Sequence, residues 1–227
     1  MNGFTIFDSV HLTWLIGICL FFIISLYFYH YISPKQQQLF QKMIFWLLLF
    51  LELAKQLYLV STNQYSYWSP PLHLCGLGIL IIGWHVYVPS RTSATLLFTL
   101  TLPGAAIALI FPGWTADAVG SFLHIHSFVF HALLIVFVLV LVRERQLQTD
   151  FKDCWRAVVF LALTVPIIYA YNAAFNTNFM FLNKPVENTP LQWLFDAFGA
   201  SGYLVSLAGV IFVIWVVLYF VKGLKRD

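Results

Sequence analysis

Seven long, almost uncharged apolar runs leave this chain one kind of fold. They are Leu12–Ile32, Leu39–Val60, Leu72–Val88, Ser93–Phe111, Val119–Val142, Trp155–Phe175 and Tyr203–Val221. Each approaches the ~20 residues a helix needs to cross a hydrocarbon core. Backbone amides have no water partner there, so helix is the default conformation. Across 227 residues, 61% are hydrophobic and 9% charged, and no soluble domain hides that much apolar surface. The expectation is an all-α polytopic integral membrane protein. A single seven-helix transmembrane domain would cover residues 1–227, with no room for a soluble second domain. The first run follows a segment without Lys or Arg and lacks a small-residue cleavage site, so it reads as a retained helix, not a signal peptide. No basic patch suggests a nucleic-acid partner.

Charge placement orients the helices. Lys35, Lys42, Arg91, Arg143, Arg145, Lys152, Arg156, Lys222, Lys225 and Arg226 fall on one side if there are seven crossings. Lys184 falls on the other side, and Lys55 lies within a span. The positive-inside rule then puts the N-terminus outside and the C-terminus in the cytoplasm. Tyr65, Tyr67, Trp68, Trp114, Trp155 and Tyr203 read as interfacial belts. Pro103 and Pro166 interrupt the fourth and sixth spans, where each removes a helical hydrogen bond. Cys19, Cys75 and Cys154 form no CxxC pair and indicate neither a disulfide framework nor a zinc knuckle.

Polar groups inside spans are costly and remain where they pair, face a cavity or perform chemistry. Glu52, Lys55 and Gln56 share a face in the outer half of the second span. His73 and Cys75 open the third. His124, His126 and His131 lie on the fifth; the seven-residue spacing puts His124 and His131 on one face and sends His126 elsewhere. At 1.5 Å per residue, His131 is roughly 15 Å and Glu52 roughly 12 Å below the outer ends of their helices. Tyr169, Asn172 and Asn176 form a stripe at the outer end of the sixth, and Asp117 and Asp196 lie in outer connections. The inner halves are nearly all apolar, with His30 and His85 close enough to the inner interface to reach it. A single polar pocket in the outer half is therefore expected.

Three kinds of chemistry fit such a pocket. Acyl transfer needs a base within reach of a nucleophile and donors for an oxyanion. His73 or His131 suits the base, and Cys75 or an acceptor hydroxyl the nucleophile. Within a regular helix, His73 and Cys75 point away from each other. Metal binding would require ligands from separate helices, because His124 and His131 are roughly 10 Å apart along one axis and no HxxxH pair occurs. A carrier would need an inverted repeat and a polar path through the inner half, and neither is present. A non-catalytic binding or transport subunit built on the same pocket is the alternative.

Three motifs carry a family resemblance: Pro71-Leu72-His73-Leu74-Cys75-Gly76, His124-Ile125-His126-Ser127-Phe128 through His131, and Tyr171-Asn172 to Asn178-Phe179-Met180-Phe181-Leu182 with Lys184-Pro185. By these and by its span pattern the chain resembles the YwaF-like bacterial integral membrane proteins, related to the eukaryotic transmembrane protein 164 family. The resemblance implies a multi-pass protein of the bacterial plasma membrane. It also implies acyl transfer between phospholipids, associated in the eukaryotic branch with a cysteine directly before the histidine that matches His73. Leu72 occupies that position here, so the resemblance carries over the histidines and asparagines but not a covalent cysteine mechanism.

The resulting expectation is an enzyme that transfers or hydrolyses a lipid acyl group. His73 and His131 would act as base or acid, with His124 next, Glu52 orienting a histidine and Cys75 the minor candidate nucleophile. Asn172, Asn176, Lys55, Gln56 and His126 would bind substrate. No metal or other cofactor is expected, and membrane lipids are the expected partners.

Overall fold

The computed structural model describes residues 3–186 and 189–223. Among these, all regular secondary structure is helical, and the protein is an all-α polytopic membrane protein. It forms two compact units, one ending at Gln148 and the other beginning at Thr149. The first holds α1 (Ser9–Tyr31), α2 (Pro34–Ser61), α3 (Leu74–Tyr87), α4 (Arg91–Ile110) and α5 (Phe122–Arg143). The second holds α6 (Cys154–Phe175) and α7 (Pro190–Gly223). Lys225 and Arg226, expected to complete the basic C-terminus, lie outside the described residues.

Six of these helices are long and apolar enough to cross a membrane, counting the Gly202–Gly223 portion of α7. The exception is α3, with 14 residues. At ~21 Å it falls short of a ~30 Å core. The cause is local. Pro70 and Pro71 lack amide donors and disfavour helix in the residue before each, so the expected start at Leu72 moves to Leu74. The non-helical stretch before α3 is tied back to α2, where the Gln56 side-chain amide donates to the Ser69 carbonyl at 2.8 Å. Irregular backbone at membrane depth persists only where protein or a cavity satisfies it.

Pro103 has the corresponding effect in α4. It cannot donate to the Thr99 carbonyl, and the turn before it widens into a π turn over Leu97–Thr101, closed by Leu102 N–H donating to Leu97 O. Thr99 Oγ1 instead donates to the Thr95 carbonyl at 2.7 Å.

The centre of the first unit is α5, which packs against α1, α2, α3 and α4. Its buried residues occupy nearly every face, as expected of a helix that is apolar all round. Small residues bring α3 in closely. A Cβ on Gly78 would come within 3.2 Å of Thr101 and 3.4 Å of Leu134. At the other end from His73, Gln37, Gln41, Tyr29 and Gln146 form a hydrogen-bonded network that holds the α1–α2 hairpin to the segment after α5. Arg91, Arg143 and Arg145 also lie at that end, which the positive-inside rule assigns to the cytoplasm.

In the second unit, α6 ends at Asn176 in a left-handed conformation (φ 52°). The outer connection was expected to reach Tyr203, but helix resumes at Pro190. It breaks at Gly199 (φ 65°, ψ 179°), a conformation that suits glycine.

Candidate functional site

The polar groups of the first unit separate into two neighbourhoods. On α2, Glu52 is 6% exposed. Its Oε1 pairs with Lys55 Nζ at 2.9 Å and accepts from Gln56 Nε2 at 2.5 Å. The spacing of three and four residues stacks all three on one face. His126 lies within electrostatic range of both Glu52 and Lys55. His131 is within range of His126, His73 and Lys55, and His73 of Lys55. Side chains from α2, the head of α3 and α5 therefore come within electrostatic range of one another. Among the described residues no three His, Cys, Asp or Glu groups are arranged to hold a metal ion.

The tautomer of His131 follows from its partner. Its Nδ1 lies 2.7 Å from the Ser127 carbonyl, which can only accept, so Nδ1 carries the hydrogen. In the neutral ring the lone pair is then on Nε2. Trp114 stacks on the same ring at 4.9 Å with planes 16° apart. A carbonyl fixes the azimuth of the imidazole and an indole covers one face. The residue expected to orient a histidine, Glu52, is instead engaged by Lys55 and Gln56.

The expected division of the α5 histidines is reversed. His124 does share a face with His131, but its Nε2 accepts from Trp14 Nε1 of α1 at 2.9 Å. It is enclosed by Phe4, Trp14 and Phe128. His126, expected to point elsewhere, is the histidine beside Glu52 and Lys55. The reason is that α5 packs against four other helices, so histidines on different faces meet different neighbours. His85 has a protein partner. It is buried and hydrogen-bonded to Ser93 Oγ at 2.9 Å. His30 is at the surface, 2.9 Å from Glu144.

Cys75 occupies the first turn of α3. The turn is packed so tightly that a Cβ at Gly76 would lie 2.3 Å from the Pro71 carbonyl oxygen. Proline, histidine and glycine of this motif thus form one structural element, in which the extended chain folds back across the helix start.

In the second unit, Asn172 is 1% exposed and its amide serves its own loop. Nδ2 donates to the Phe179 carbonyl at 3.0 Å, and Oδ1 accepts from Thr177 Oγ1 at 2.9 Å and Phe179 N at 2.8 Å. Asn176 is exposed at the helix terminus. Asn178 bridges to Lys184 and Asn183 in the same manner. These bonds hold Met180 and Phe181 at positive φ (56° and 55°), a strained conformation for such side chains. The third motif therefore folds as an asparagine-laced loop.

Several residues carry more of the site than their sequence context suggests. Trp114 reads as an interfacial tryptophan, yet it covers His131, and its Nε1 is buried without a hydrogen-bond partner. Thr101 Oγ1 and His126 Nε2 share that condition. Tyr203, also read as interfacial, is 1% exposed. His11 is fully buried, accepting from Phe7 N at 2.9 Å and donating to the Leu109 carbonyl at 2.8 Å.

The model of the TMEM164 family matches residues 6–219. No curated protein and no solved structure matches the chain. The family match spans almost all of the sequence, and the chain belongs to the TMEM164 family.

Proposed function

We propose that this TMEM164-family member transfers or hydrolyses a lipid acyl group at the His73, His126 and His131 cluster, in the outer half of the membrane. The observation that carries the reading is the state of His131. A neutral imidazole with its lone pair on Nε2, oriented by a carbonyl, is prepared to accept a proton. Esters are the electrophiles that a membrane supplies.

In this mechanism His131 Nε2 removes the proton of a water or lipid hydroxyl as its oxygen attacks the ester carbonyl carbon. The tetrahedral oxyanion forms within range of Lys55, whose charge is already present and partly balanced by Glu52. Collapse expels the original alcohol, which takes the proton back from the His131 imidazolium. No acyl-enzyme forms, in keeping with Leu72 before His73. Asn172 supports the loop of the second unit, and Gln56 supports the chain before α3.

The test is lipid mass spectrometry of membranes from cells expressing the wild type, His73→Ala or His131→Ala at equal levels. The wild type should shift acyl-chain distribution among phospholipids, and both variants should return it to that of cells without the protein. Identical profiles in all of these membranes would remove the proposal.

A further inference from the structure

The face of α5 away from His131 forms part of a second feature. Between α1, α2 and α5 lies an apolar groove of about 790 Å³, open to the side, that includes Thr13, Gly17, Phe21, Leu47 and Ala132. This falls within the roughly 300–1,000 Å³ of small-molecule sites. Val129 and Leu133 at its back stand two residues either side of His131, so at 3.6 residues per turn they point roughly 160° away from it.

We propose that this groove is a resident lipid site that holds one phospholipid acyl chain, separate from the polar cluster. Two properties of the groove select that occupant. The first is length. From Ser9 to Phe21 it runs roughly 18 Å along α1, a little over half of a ~30 Å core. That suits a chain from one leaflet, whereas a partner helix would cross the full thickness. The second is polarity. Hydroxyls of Ser9 and Thr13 lie at its outer rim, apolar side chains line its depth, and Phe21 ends it. This is the amphipathic profile of a lipid that enters from its headgroup end. A seated chain would fill the space between α1 and α2 above their contacts at Tyr29, and would press against Trp14, the partner of His124.

Gly17 provides the perturbation. Nothing lies within 4 Å of the position a Cβ would take there, so a side chain can start from Gly17 into open space, and Gly17→Phe is the plug. The protein is reconstituted into phosphatidylcholine vesicles in which a minor fraction of the lipid carries a diazirine on one acyl chain, then irradiated and digested. Label on peptides covering residues 10–21 and 129–133 should exceed, several-fold, that on the exposed α7 stretch 205–217. Gly17→Phe should bring it down to the α7 level, and Gly17→Leu is the smaller plug if the phenylalanine variant does not insert. Gly209→Phe on α7, also with open space at its Cβ, should leave it unchanged. Equal label on all lipid-facing helices overturns the site, as does label unaffected by either plug. Disulfide-linked dimers of a Gly17→Cys variant would identify a second copy as the occupant and also overturn it.

Discussion

Removing Glu52 and Lys55 together should destabilise the protein less than the sum of the two single removals. The side chains are 7% and 22% exposed and 2.9 Å apart. Truncating one partner of a buried ion pair costs ~3–5 kcal/mol, most of it from stranding the other charge. Lys55 is partly accessible and can relieve some of that cost, so Glu52→Ala should fall near the lower end, at ~3 kcal/mol. Lys55→Ala strands the more deeply buried carboxylate and should cost at least as much. The double variant strands no charge, so its cost should fall below the sum of the singles by ~2–3 kcal/mol. The assay is reversible unfolding in mixed micelles titrated with sodium dodecyl sulfate, followed by circular dichroism. Additivity of the two substitutions to within ~0.5 kcal/mol would refute a coupled buried pair, and with it the electrostatic centre of the cluster.

Other substitutions separate chemistry from scaffold. Asn172→Ala removes three hydrogen bonds and should cost ~3 kcal/mol, seen in hydrogen exchange as loss of amide protection at 177–183. Cys75→Ala should retain acyl-transfer activity in the lipid assay, and complete loss would restore a thiol nucleophile. Burial pushes the Asp117 carboxyl above its usual value of 3.8, opposed by nearby His124. A raised carboxyl is most unfavourable when ionised, at pH above its folded value, and its effect disappears once it is protonated in both states. Asp117→Asn should therefore melt at a higher temperature than wild type at neutral pH. That gap should close as pH falls to 3.8 and below, and a gap that widens on acidification contradicts the burial argument.

The helices were legible because hydrocarbon permits little else. Apolar length alone places α1, α4, α5 and α6 to within a few residues. The errors are where one residue changes backbone chemistry. Ser33 and Pro34 start α2 well before Leu39 through a capping box, and Pro70-Pro71 delays α3. The nearness of Lys55 to His131 could be anticipated from depth and spacing, because helical rise is fixed. The partners of His124 and His126 could not, since angular spacing gives relative direction on α5 but not which neighbour occupies each direction. Trp14 and Trp114 were hidden for a related reason. An interfacial tryptophan and one folded inward look alike until the chain around them is placed. Asn172 read as a substrate ligand because its backbone partners, Thr177 and Phe179, lie in a loop without periodicity.

Proton removal by His131 during acyl transfer can be followed outside the cell. It is tested most directly with purified protein in vesicles of one defined phospholipid bearing an isotopically labelled acyl chain, together with an unlabelled lysophospholipid. Wild type should produce labelled free fatty acid or labelled lysophospholipid-derived diacyl product, and His131→Gln, folded to the same melting temperature, should produce neither. Equal product from wild type and His131→Gln, or none from wild type, would contradict the account.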